Sequence, residues 1–137
     1  MTSGQRILVI DDDPVFMGVT KAVLEANGYV VDGASNGEQG LLKAMEQKPD
    51  LVLLDVMMEW PLEGVSVSRE MMDRAALRSI PIIIVSSIRS SEYRGDFPLD
   101  EYLHADSWLD KPCAPDTLVA EVQATLARHM RYSKPGS

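Results

Sequence analysis

Cysteine and histidine are nearly missing from this chain, which has one cysteine, Cys113, and two histidines. That leaves no disulfide framework and no Cys/His zinc cluster. Basic residues are also in short supply, 13 against 21 acidic ones, for a net charge of −8. So acidic a chain is repelled by phosphate backbones, and direct nucleic-acid binding is not expected without another domain. No apolar run approaches membrane-spanning length, and the opening MTSGQR lacks the apolar core of a signal peptide. Internal repeats and low-complexity tracts are missing too. The expectation is a reduced, cytoplasmic, single-domain protein; 137 residues with 45% apolar content suffice for a hydrophobic core.

The stretch RILVIDDDPVF stands out against that background. An apolar run leads straight into three adjacent carboxylates, Asp11, Asp12 and Asp13. Two unit charges about 4 Å apart repel by roughly 1 kcal/mol in water and about 4 kcal/mol when partly buried. A sequence that accepts this cost usually places something positive there.

Apolar runs and helix-periodic segments alternate along the chain. Ile7 to Ile10 shows no polar alternation and reads as a strand buried on both faces. Asp13-Pro14 is a helix start, with Phe16, Val19 and Val23 at helical spacing before Asn27-Gly28 ends the segment. Tyr29 to Ala34 is a second strand. Asn36-Gly37 turns into a helix with Leu41, Leu42 and Met45 on its inner side, stopped by Pro49-Asp50. Leu51 to Asp55 is a third strand. Val65 to Leu77 has a helical pattern, with Val65, Met72 and Ala76 as candidate core residues. Ile82 to Val85, ending in Ser86-Ser87, is a fourth strand. From Ile88 to Ala105, Gly95 and Pro98 interrupt any single helix, so a loop with short helical pieces is expected. Ser107 to Asp110 is the last strand, and Thr117 to Met130 the last helix, with Leu118, Val122 and Leu126 facing in.

Five β-units alternating with helices predict an α/β fold, a doubly wound parallel sheet covered on both faces. In such sheets ligands bind beyond the carboxyl ends of the strands, where strand order reverses. The polar residues at those ends are Asp11 and Asp12, then Asp55, Ser86 and Lys111. Each has a local explanation: a helix cap, a turn, a backbone hydrogen bond, a solvated surface residue. Their gathering at one edge is harder to explain locally. Carboxylates suit a hard cation such as Mg²⁺, and metal and ammonium together stabilise a transferring phosphoryl group. A carboxylate nucleophile then gives an acyl phosphate.

ILVIDDDP, PDLVLLDVMM, IPIIIVSS and WLDKP, in this order and spacing, resemble the receiver domain of two-component response regulators over nearly the whole chain. The resemblance implies a flavodoxin-like sheet of order 2-1-3-4-5. It implies a receiver over residues 1–131, with 132–137 a tail or cut linker. Asp11 and Asp12 would hold Mg²⁺, or Mn²⁺, with the backbone carbonyl of Met57 and with Asp55. Asp55 would be the phosphoacceptor and Lys111 the phosphoryl contact, with Lys111-Pro112 in the cis form. Ser86 and Trp108 would be the switch hydroxyl and switch aromatic. The implied partners are a sensor histidine kinase or histidine phosphotransfer protein, and an output protein or domain that the sequence does not name. Such a protein catalyses its own aspartyl phosphorylation and slow dephosphorylation but is no metabolic enzyme.

Departures from the family pattern are local. DVMMEWPLEG has Glu59 where proline is usual and Gly64 one residue late, which lengthens the loop beside Asp55 and puts Trp60-Pro61 in it as a partner contact, a lid or an inconsequential insertion. Ser87 is small enough for phosphoryl access. The Ser86-to-Lys111 segment is longer than usual, so the helix between the fourth and fifth strands is expected to be irregular and the usual dimer is not assumed. Cys113 replaces an aromatic. Met57 and Ile88, two places after the acceptor and the switch hydroxyl, cannot orient water, so a long-lived acyl phosphate is expected. Two other readings stay open. One is a haloacid-dehalogenase-like phosphatase using Asp11 as nucleophile and Asp13 as acid, which gives Asp55 no role. The other is a receiver-like interaction module that is not phosphorylated.

Overall fold

The computed structural model describes residues 4–56, 63–86 and 105–132. Its elements run β1 (Arg6–Ile10), α1 (Pro14–Ala26), β2 (Val30–Ala34), α2 (Gly37–Gln47), β3 (Leu51–Leu54), α3 (Glu63–Asp73), β4 (Ile82–Ser86), β5 (Ser107–Asp110) and α4 (Pro115–Tyr132). All neighbouring strands are parallel, in the order β2-β1-β3-β4-β5. Strand order reverses at β1 and β3, so the crevice rule points to the ends of those two strands.

The continuous apolar runs fill both faces of the sheet. Leu8, Ile10, Val52, Leu54 and Ile84 face one core layer, beneath α2 and α3. Ile7, Val9, Leu51, Leu53 and Ile83 face the other, beneath α1 and α4. Each fully buried side chain of this size contributes roughly 1.5–3 kcal/mol. This two-sided burial is why the runs do not alternate with polar residues.

Local chemistry sets the helix ends. Asp13 caps α1, its carboxylate accepting from the backbone N–H groups of Val15 and Phe16, with Pro14 at the first helical position. Gly28, at φ 92°, takes the chain out of α1. Asn36 caps α2 by accepting from the Gln39 N–H at 2.9 Å. That helix leaves through Lys48, a left-handed residue at φ 47°, one position before the expected Pro49-Asp50 stop. In α4, Leu118, Val122 and Leu126 are all buried, as their spacing predicts.

Two inner faces differ from expectation, and α1 buries residues other than its spaced apolar ones. In α2, Gly37, Gly40 and Ala44 are the buried residues; Leu41 is only partly buried, and Leu42 and Met45 are exposed. The helix lies too close to β1 for bulk, since a methyl at Gly40 would meet the Ile10 side chain at 2.5 Å. In α3 the buried set is Gly64, Val67, Ser68 and Met71, one position off the expected stripe. Met72 and Ala76 are therefore exposed; the Val65 side chain lies outside the described structure. In α1 it is Thr20 and Leu24 that are buried, while Val19 is 53% exposed. The expected irregular segment from Ile88, as far as residue 104, and the Trp60-Pro61 loop lie outside the described residues.

Candidate functional site

Continuation of the sheet ladders beyond the strands fixes the acidic residues. The Asp11 N–H donates to the Ala34 carbonyl at 3.0 Å, and the Asp55 N–H to the Ile10 carbonyl at 2.9 Å. Both backbones are thus pinned just past the ends of β1 and β3, on either side of the switch point. Asp11 and Asp55 are buried, and Asp12 is exposed. One carboxylate oxygen from each of the three lies within 4.8 Å of the others.

Lys111, the residue after β5, reaches into this group. Its Nζ lies 2.7 Å from Asp11 Oδ2 and 3.6 Å from Asp55 Oδ2, with the side chain 13% exposed. The Lys111-Pro112 peptide is cis. Burial opposes the Lys111 charge, but contact with Asp11 and the charges of Asp55 and Asp13 outweigh it and hold its pKa above the ordinary value. For Asp11 burial prevails and raises its pKa, against the lowering effects of Lys111 and of the Asp13 N–H donated to Oδ1 at 2.9 Å. Together these describe an acidic pocket with too little positive charge.

Ser86 ends β4 beside Asp110 of β5, at the same edge; its side chain lies outside the described structure, as do Met57, Ser87 and Ile88. Trp108 is half-buried on β5, packs against the core layer under α2 and α3, and donates from Nε1 to Asp110 Oδ1 at 3.1 Å.

Gly64 has a more specific role than its late position in the loop suggests. A methyl there would lie 2.5 Å from Val56 Cα and nearer still to the Asp55 carbonyl oxygen. Its N–H donates to the Val56 carbonyl at 3.0 Å. Only glycine lets the first turn of α3 close against the backbone that carries Asp55. Phe16 is the residue that sequence reasoning misses: its ring centroid lies 4.4 Å from Lys111 Nζ. Its spacing with Val19 and Val23 was the available signal. These three residues, with Val15, Pro112 and Cys113, edge a groove of about 430 Å³ beside Lys111. Burial raises the pKa of the half-buried Cys113 thiol, and the Lys111 charge offsets part of that rise.

The donor set fits a hard divalent cation. Asp11 Oδ2 is buried and, despite the nearby ammonium, has no donor aligned for a hydrogen bond. Carboxylate oxygens are the ligands Mg²⁺ prefers, water ordinarily completing its shell.

Comparison with known proteins agrees with this geometry. Residues 7–123 match the family model described as response regulator receiver domain. The chain belongs to the response regulator receiver family. This receiver is 35% identical over 122 residues to the protein PilH of Pseudomonas aeruginosa, covering 89% of this chain and 98% of PilH. It is 36% identical to the alkaline phosphatase synthesis regulator PhoP of Bacillus subtilis, covering 90% of this chain but only 49% of PhoP. Among solved structures, a CheY-like receiver protein from Methanospirillum hungatei superposes with a TM-score of 0.80 at 28% identity, covering 95% of this chain and 99% of that one. The receiver domain of the sensor histidine kinase PA1611 from Pseudomonas aeruginosa, which has a magnesium ion coordinated in its active-site cleft, gives 0.80 at 29% identity, over 91% and 99% of the two chains. Membership of this family leaves the phosphatase reading without support. The Asp13 carboxylate it needs as an acid is occupied in capping α1.

Proposed function

We propose that this receiver accepts a phosphoryl group on Asp55 from the phosphohistidine of a sensor histidine kinase or histidine phosphotransfer protein, and that phosphorylation changes which output partner it binds. The observation that carries this reading is the meeting of three carboxylates within 4.8 Å at an ammonium 2.7 Å from one and 3.6 Å from another. Asp11, Asp12 and Asp55, with the backbone carbonyl of Met57, would hold Mg²⁺ or Mn²⁺. When bound, the cation supplies positive charge that stabilises the phosphoryl oxygens in transfer.

In the transfer step an Asp55 carboxylate oxygen forms the new P–O bond as the P–N bond to the donor imidazole breaks, the electron pair leaving with that nitrogen. Lys111 stabilises charge on the phosphoryl oxygens. Ser86 serves as the switch hydroxyl and Trp108 as the switch aromatic, passing occupancy of Asp55 to the surface. The groove along Phe16, Val19 and Pro112 gives the donor an apolar edge beside Lys111. The receiver would modify itself without metabolic turnover, and work in the cytoplasm; among the described residues no helix is long and apolar enough to cross a membrane.

Beryllium fluoride with Mg²⁺, a mimic of the phosphoryl group, tests the reading. It should change Trp108 fluorescence in the wild type, with Trp60 replaced to remove its background, and have no effect in Asp55→Asn. An unchanged signal in both proteins would count against it.

A further inference from the structure

The Lys111 ammonium has three N–H donors and a crowded set of neighbours. Two are carboxylates, Asp11 at 2.7 Å and Asp55 at 3.6 Å. The third is the face of the Phe16 ring, whose centroid is 4.4 Å away. The first turn of α1 fixes that ring: the Phe16 N–H donates to Asp13 Oδ1 at 3.2 Å, and the side chain packs against the core layer under α1 and α4.

These partners are not equivalent once the site works as proposed. A divalent cation held by Asp11, Asp12 and Asp55 takes up two of their three negative charges and so weakens the hold of the carboxylates on Lys111. Without another partner, a long flexible ammonium then gains by turning to solvent. An aromatic face attracts the ammonium through its quadrupole, binds no Mg²⁺ in competition and gives up no proton. We infer that Phe16 is a positioning residue for Lys111, its ring face retaining the ammonium inside the site when the cation engages Asp11. The inference rests on the proposed phosphoacceptor function and adds to it a residue outside the acidic cluster.

The test uses Phe16→Leu, which keeps apolar bulk but removes the ring, and Phe16→Tyr, which keeps the face. Each is made alone and with Lys111→Met. The first readout needs no phosphoryl chemistry. In Mg²⁺-saturated wild type and Phe16→Tyr, NMR should show the Lys111 Cε methylene protons shifted upfield by the ring, and Phe16→Leu should remove the shift. The second is beryllium fluoride affinity at saturating Mg²⁺. It should fall about three- to tenfold in Phe16→Leu, recover in Phe16→Tyr, and be the same in Lys111→Met with or without Phe16→Leu. Solvent-like Lys111 shifts in the Mg²⁺-loaded wild type would overturn the inference. So would an equal affinity loss from Phe16→Leu in the Lys111→Met background, which would mean that the ring acts through packing alone. A wild type that keeps the ring shift but ignores beryllium fluoride counts instead against the phosphoacceptor reading, and the ring-to-ammonium contact stands.

Discussion

At the scale of single residues, the site is a problem of unbalanced charge. Asp11, Asp12 and Asp55 bring three carboxylates together, and Lys111 answers only part of that charge. Asp12 is the exposed member, so neutralising it removes repulsion without burying an unpaired group. Asp12→Asn should therefore raise the metal-free stability by about 0.5–1 kcal/mol, read as a higher unfolding midpoint. It should also erase most of the rise that Mg²⁺ gives the wild type by binding the folded state. Thermal unfolding with and without Mg²⁺ reads both effects. Asp32 tests the same physics away from the site. Its bond from Gln47 Nε2 at 2.6 Å, helped by Lys43 at 3.1 Å and the Gly33 N–H, holds its carboxyl below the ordinary range against the opposing effect of burial. A depressed carboxyl stabilises the fold above its unfolded pKa, and that contribution is lost as pH falls through the folded value. Asp32→Asn should cost at most about 0.5–1 kcal/mol near neutrality, since the pair is partly exposed. The difference from wild type should vanish in acid, which denaturant titration at several pH values checks. Asp11, Asp55 and Lys111 are legible in the sequence because each directly follows a buried apolar run or strand, and Asp12 because it continues the acidic run that Asp11 begins. Phe16 is not, because a phenylalanine at helical spacing looks the same whether it meets the core or a lysine.

At the scale of elements, packing distance decides which residues face inward. Apolar patterning locates the described strands to within a residue or two, most plainly β1, β3 and β4, whose burial on both faces admits little but apolar residues. It misplaces the inner faces of α2 and α3, where close approach to the sheet and to Asp55 demands Gly40, Ala44 and Gly64 instead of larger apolar residues. Gly64→Ala should therefore do double damage. We expect about 1–3 kcal/mol of lost stability from overpacking, and slower reaction with acetyl phosphate at saturating Mg²⁺ as the Asp55 backbone shifts. Denaturant unfolding and phosphorylation kinetics separate the two. Helix α1 keeps its apolar surplus outside, with Val15 at 73% and Val19 at 53% exposure beside the groove next to Lys111. Val19→Glu should leave reaction with acetyl phosphate within about twofold of wild type and slow transfer from the protein phosphodonor at least tenfold, because burying an unpaired carboxylate costs more than 1.4 kcal/mol. Equal rates from the protein donor would assign the groove another use.

At the scale of the whole molecule, the parallel sheet turns five separate strand ends into one edge. The alternation of runs and helices foretells that architecture, and the order β2-β1-β3-β4-β5 places β1 and β3 side by side, so that Asp11 and Asp55 become neighbours although 44 residues apart in sequence. Of the 21 acidic residues, three are gathered at that edge where a cation could be held. This chain matches nearly all of PilH but about half of PhoP, so its fold belongs equally to a free-standing regulator and to part of a longer one. The phosphoacceptor claim is the one on which the account turns. Its most direct test is incubation of the full chain with acetyl phosphate and Mg²⁺, reduction of the acyl phosphate with borohydride, and mass-spectrometric mapping of the modified residue. The account predicts modification at Asp55 that depends on Mg²⁺; modification at Asp11, or none at all in folded protein, would contradict it.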